Sequence, residues 1–404
     1  MASTKTANIV ITLILSAIRF TSGAGSIALI HLLTPKNTAN QVAILLTAII
    51  LIGSISCLGL QFDLYHKGIK DSKSFKLLVP TKIKVIQLLI STAGAITAVI
   101  LKNNIETSDI KTVFYIISGA MVFTTTNLYG NYQIGRGRSI SATGILILPN
   151  LSILLISLMF YGNSKFASSY WLSMSTSLNI LLLFTFTLYE NISKAKVNLK
   201  REDIGLIAQG RIGKLTASFS QPLVIWSLMS TLSKLNGVDL SYYLFLQRVF
   251  DGCTSITMMN LQMTKIRDLI EEFANKNINW LKILLQILGI STAIYIFASI
   301  FIIALDVFYY SREPNLITII FEITINLAKI MLAITSLLYM RFQQNLTTKF
   351  EISTAALVCT GLWSFGNTLT EKQAIIAITY IAICSAGIVK LLNQMQSRTN
   401  FYAR

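Results

Sequence analysis

Runs of some twenty apolar residues recur from one end of this chain to the other, each long enough to cross a hydrocarbon slab of about 30 Å. A backbone inside lipid has to satisfy its own hydrogen bonds, so a helix is the form open to each run. Twelve spans are read, at 8–32, 42–62, 83–101, 113–132, 140–161, 170–189, 215–234, 241–262, 280–305, 315–339, 353–370 and 373–392. The sequence therefore predicts an all-α integral membrane protein of about twelve transmembrane helices. Charged residues make up 13% of the 404 and hydrophobic residues 53%, where a soluble domain carries about 25% charge. That balance excludes a soluble enzyme, a disordered chain and a nucleic-acid binder, in spite of a net charge of +17.

How the charge is distributed gives a topology. With the N-terminus in the cytoplasm, 24 of the 34 Lys and Arg fall on that side, seven on the outer side and three inside spans. Short loops biased in this way follow the positive-inside rule, so both termini are expected in the cytoplasm. The two longest connections, 63–82 and 190–214, lie on the same side and are rich in lysine. The second divides the chain into an N-terminal six-helix lobe (1–189), a basic linker (190–214) and a C-terminal six-helix lobe (215–404). Segment 263–279 reads as an amphipathic cytoplasmic helix, with Ile266, Leu269, Ile270 and Phe273 on one face. Tyr170 and Trp171 are among the aromatic residues read as interfacial anchors. The outer loops are too short to hold a catalytic domain.

No enzyme motif is present, and the chain is not read as an enzyme. The two histidines, His31 and His66, are too far apart for a metal site, and Cys57, Cys253, Cys359 and Cys384 form no CxxC pair. No cofactor and no metal are expected; the cysteines read as small buried hydrophobes.

Six side chains do not belong in lipid. An ionisable group at mid-bilayer costs at least about 2.5–3.5 kcal/mol, so it persists only against protein or a wet interior. Arg19 lies near the middle of span one, with Ser16, Gly23 and Ser26 on its face and no acid in its own span. Either a carboxylate from another helix or an anionic ligand must answer it, and the ligand is the favoured reading. Arg248 and Asp251 lie one turn apart in span eight, close enough for an ion pair within the helix. Glu322, Asn326 and Lys329 follow one another at i, i+4 and i+7 along span ten, as one polar stripe. Glu322 and Lys329 are about 10 Å apart along the axis and need not pair. Three cations against two acids leave the interior positive. Guanidinium groups suit phosphate because their planar donors meet two oxygens at once. Arg19, Arg248 and Lys329 are therefore the candidate substrate-binding cations, and Asp251, Glu322 and Asn326 are candidate polar or ion-coupling groups.

The chain resembles the Wzx-type lipid-linked oligosaccharide flippases of the multidrug/oligosaccharidyl-lipid/polysaccharide exporter superfamily. The likeness lies in the twelve spans with a break after the sixth, in SAIRFTSGAG of span one, and in YYLFLQRVFDGCTSITMMNLQMTKIRDLI across span eight. GLQFDLYHKG after span two and NLYGNYQIGRGRSISATG between spans four and five add to it. The resemblance implies two six-helix lobes around a central cationic cavity. It also implies a substrate, an undecaprenyl-diphosphate-linked oligosaccharide, carried from the cytoplasmic to the periplasmic leaflet of the bacterial inner membrane for O-antigen or capsule synthesis. On this reading Arg19 and Arg248 take the family's arginine positions and bind diphosphate or acidic sugar. A polysaccharide polymerase and a chain-length regulator are the protein partners it implies, beside the lipid bilayer itself. Two alternatives stand beside it: a membrane polymerase or glycosyltransferase acting on the same lipid-linked sugars, and a drug/cation antiporter of the same superfamily.

Overall fold

The computed structural model describes residues 36–61, 63–64, 76–78, 81–100, 109–136, 138–159, 168–192, 196–198, 207–235, 238–264, 279–308, 313–342 and 346–402, with 14, 18, 27 and 28 near the start. Eleven helices occur among them: α1 Lys36–Ser56, α2 Thr81–Ile100, α3 Asp109–Gly135, α4 Ser139–Met159, α5 Ser168–Ile192, α6 Ile207–Leu232, α7 Leu240–Thr264, α8 Asn279–Phe308, α9 Leu316–Phe342, α10 Leu346–Ser364 and α11 Leu369–Tyr402. They fall in register with spans two to twelve of the sequence reading. Five of them are long and apolar enough to cross a membrane, on length and composition: α1, α2, α5, α8 and α11. Most of span one, and residues 265–278 of the segment 263–279 read as an amphipathic helix, lie outside the described residues. Among the described residues the fold is all-helical apart from one small pairing. Lys76–Leu78 (β1) and Lys196–Asn198 (β2) run parallel, with Lys76 opposite Lys196 and Leu78 opposite Asn198. The two long basic connections are thus pinned to each other, which no sequence period announced.

The chain divides into two compact units. One comprises residues 1–230 and 239–244; the other comprises 231–238 and 245–404. Helix α7 begins in the first and continues into the second.

Within the first unit, α1 packs on α2 and α3 through glycines. A Cβ on Gly53 would lie 2.6 Å from Phe123 Cδ1 and 3.1 Å from the Ala120 carbonyl oxygen; Gly119 faces Ile49, and Gly94 faces Ile52. Lipid tails are as apolar as leucine, so helices here gain by close backbone approach more than by hydrophobic exclusion. The Thr124 hydroxyl completes the α1–α3 contact, 3.0 Å from the Gly53 carbonyl. Leu60 and Leu64, beyond the end of α1, form one buried cluster with Ile83 of α2 and Leu128, Tyr129 and Tyr132 of α3. Proline stands inside α4 at Pro149 and inside α6 at Pro222, and both helices continue past it. Side chains such as Leu89 and Phe184 point outward, 64% and 58% exposed, an apolar surface that suits lipid rather than water. Trp171 corrects the sequence reading. It is buried rather than interfacial, because the face of α5 that carries it turns inward onto α3, where Tyr115 meets it edge-on at 5.2 Å.

In the second unit, the turn between α10 and α11 is set by local backbone chemistry. Gly366 takes φ +88°, a conformation that a Cβ penalises. Thr368 caps α11: the Glu371 N–H donates to its hydroxyl at 3.2 Å. The Glu371 carboxylate returns to the Thr368 and Asn367 N–H groups at 3.2 and 2.6 Å. This is a capping box. Lys372, in the first turn of α11, is buried. Its ammonium donates to the Leu362 carbonyl at 2.8 Å, closing an end of α10 that would otherwise leave carbonyls unmet. Substituting Gly366 by Ala, or Thr368 by Ala, should each cost about 1 kcal/mol. The melting temperature of the detergent-solubilised protein checks both.

Candidate functional site

Four helices of the second unit bring polar side chains to one place. On α9, Glu322 and Asn326 are buried at 1% and 0% exposure, while Ile317 and Ile320 on the same helix are exposed. The stripe read from the sequence is therefore the inward face of α9, and lipid takes the other. Asn326 is held at both ends. Its amide donates to the Glu322 backbone carbonyl at 2.8 Å, and its Oδ1 accepts from the Thr254 hydroxyl of α7 at 3.1 Å. Thr254 also shares a hydrogen bond with the Tyr295 hydroxyl of α8 at 2.6 Å. Tyr295 reaches this point because α8 turns Ile287, Ser291, Tyr295 and Ile302 inward.

From the other side comes α11, which makes its most extensive contact with α9. Gln373, fully buried, donates its amide to Glu322 Oε1 at 3.0 Å and lies 3.4 Å from the Thr318 carbonyl. The Cys384 thiol of α11 reaches the Ala328 carbonyl at 3.4 Å. A buried carboxylate would be costly without such donors. The Gln373 Oε1 and the Thr318 hydroxyl are buried with no hydrogen-bond partner.

The charged groups divide unequally. Lys329 forms an ion pair with Asp251, Nζ to Oδ1 at 2.9 Å, joining α9 to α7. This pair is neither of those weighed from the sequence. Asp251 does not close onto Arg248 within α7, and Glu322 does not meet Lys329 but is held by Gln373. The reason is rotational: i and i+7 on α9 share a face, and Asp251 is the carboxylate that α7 presents there. Arg248 is half-buried and makes no hydrogen bond or ion pair among the described residues. Arg19 lies outside the described residues. So Arg248, Asp251, Glu322, Asn326 and Lys329 are gathered in one unit, with Lys329 paired to Asp251.

Three members of the network, Thr254, Tyr295 and Gln373, are not among the sequence candidates. The signal for Thr254 was its place one turn after Asp251. For Tyr295 it was the four-residue spacing from Ser291 to Ser299 in a span otherwise apolar. Gln373 carried no signal beyond an amide just inside a span. Among the described residues no group of His, Cys, Asp and Glu could hold a metal ion.

No protein-family model matches the chain and no curated protein matches its sequence. Solved structures do match. An inward-facing conformation of a multidrug resistance MATE family transporter of the MOP superfamily superposes with a TM-score of 0.61 at 12% identity, covering 96% of this chain and 95% of that one. An outward-facing conformation of such a transporter gives 0.57 at 14% identity, with 97% and 96% covered. A MATE crystal structure in complex with MaL6 gives 0.59 at 12% identity and 97% of both. The chain is a multi-pass membrane protein with the fold of the MATE transporters.

Proposed function

We propose that this protein is a flippase that carries undecaprenyl-diphosphate-linked oligosaccharide repeat units across the bacterial inner membrane, by alternating access, for O-antigen or capsule synthesis. The observation that carries the reading is Arg248. It is a half-buried guanidinium inside a membrane helix, bonded to no described residue, beside a lysine already neutralised by its own carboxylate. An arginine so placed is costly unless something anionic comes to it. A diphosphate offers the paired oxygens its fork is built for. The MATE-type fold supports transport, and the 24-to-seven bias of basic residues supports cytoplasmic termini. Arg19 is assigned to the same headgroup. A polymerase and a chain-length regulator would take the product on the outer side.

A second reading, a drug or cation antiporter, is favoured by the buried Glu322 and by the multidrug transporters that share the fold. Reconstituted proteoliposomes separate the two. The flippase reading expects a fluorescent undecaprenyl-diphosphate-linked glycan to reach the opposite leaflet faster than in empty vesicles, and a cationic dye to show no gradient-driven export. Dye export without glycan movement would reject it.

A further inference from the structure

Asp251 stands between two cations. It holds Lys329 across the α7–α9 contact at 2.9 Å, and Arg248 lies one turn earlier on the same face of α7. Side chains three apart on a helix have Cβ atoms about 5–6 Å apart, so both cationic heads lie within reach of one anionic group near Asp251. The pair is not sealed: the side chains of Lys329 and Asp251 keep 12% and 25% of their surface exposed. An anion that arrives at Arg248 therefore meets Lys329 already engaged.

We propose that Asp251 is a resident counter-anion and so a specificity-determining residue: it occupies Lys329 in the empty protein and yields only to a headgroup with more than one negative charge. The proposal rests on the reading of Arg248 as the anion site. A tethered carboxylate competes at an effective concentration on the order of mM or above. A monoanion gains Arg248 alone and leaves the ion pair as it is. A diphosphate meets Arg248 with one phosphate and presents the other to Lys329, where its higher charge displaces the carboxylate. Discrimination by a built-in competitor excludes the wrong ligand rather than improving contacts with the right one. The same displacement unties α7 from α9, so the charge that is selected for is also the charge that loosens the helix pair.

The test is calorimetric titration of the full-length protein in detergent at neutral pH, with inorganic pyrophosphate and with dimethyl phosphate, a monoanion. The native protein is expected to bind pyrophosphate and not dimethyl phosphate. Asp251→Asn should bind pyrophosphate roughly tenfold more tightly, about the worth of one charge-assisted hydrogen bond, and should accept dimethyl phosphate. The Asp251→Asn/Lys329→Gln double variant keeps the contact but makes it neutral, which covers the case in which the single variant fails to fold. It offers Arg248 alone, so it should refuse dimethyl phosphate as the native protein does and should bind pyrophosphate more weakly than the native protein. If pyrophosphate binding needs Arg248 but Asp251→Asn binds it no more tightly, or if the folded double variant binds pyrophosphate as tightly as the native protein, Asp251 is only a structural partner and the proposal fails alone. Pyrophosphate bound by neither the native protein nor any variant would remove the anion site itself.

Discussion

Arg248→Ala is expected to abolish glycan transfer, by a hundredfold or more in proteoliposomes, while the protein accumulates in the membrane at its native level. The two halves of that expectation have separate causes. Transfer requires that the headgroup be held in a region where water no longer stabilises its charge, and one charged hydrogen bond lost there is worth about 1.5–3 kcal/mol. A guanidinium that meets two oxygens loses twice. Stability should hardly change, because Arg248 forms no bond among the described residues and its removal leaves the Lys329–Asp251 pair intact. Arg248→Lys keeps the charge and gives up the fork, so roughly tenfold of the loss should return. Lys329→Met is the contrast. It takes from Asp251 the ammonium at 2.9 Å, and breaking a buried pair costs about 3–5 kcal/mol, less in proportion to the exposure that this pair retains. Loss of transfer in that variant would report folding as much as binding, which makes Arg248 the cleaner probe. Native glycan output from membranes that carry only Arg248→Ala would end the site assignment.

Much of the architecture was written in the chain as hydropathy. Eleven helices coincide with spans read from it because lipid leaves a backbone no alternative, so the presence of an element follows from composition alone. The turn from α10 to α11 needed more than that, and Gly366, Thr368 and Glu371 supplied it through turn chemistry present in the sequence as GNTLTE. The candidate site was legible along each helix but not between helices. Period fixed Glu322, Asn326 and Lys329 to one face of α9. Which acid met Lys329 depended on how far α7 is rotated about its own axis, and the Arg248–Asp251 spacing could not say. Trp171 shows the same limit from another side: an aromatic residue at a span end reads as an anchor until the packing of its face is known. Amides are quieter still. Gln373 has no charge to offend a hydropathy scale, yet it supplies the donor that makes Glu322 tolerable. The β1–β2 pairing, three residues in each strand, is too short to carry a period at all.

Glu322→Ala and Glu322→Gln are expected to part company, and the difference decides what that carboxylate is for. Glu322 is almost wholly buried and accepts from Gln373 at 3.0 Å. Gln373 has no other partner nearer than the Thr318 carbonyl at 3.4 Å, and its own Oε1 is already unmet. Alanine removes the acceptor, strands a buried amide and opens space between α9 and α11. Orphaned donors cost about 1–3 kcal/mol and the cavity adds to it, so the melting temperature should fall by about 5 °C or more. Glutamine keeps the shape and a carbonyl oxygen for Gln373, so the fold should survive to within about 1 kcal/mol. Asn326 is unaffected in either case, because it bonds the Glu322 backbone rather than its side chain. With packing preserved, transfer by Glu322→Gln reads the charge alone. The flippase reading places the working charge on Arg248 and leaves Glu322 to hold α9 against α11, so glycan transfer should continue in Glu322→Gln at close to the native rate. A variant that melts like the native protein and moves no glycan would mean that the carboxylate binds and releases a cation during the cycle. The antiport reading would then gain what the flippase reading loses.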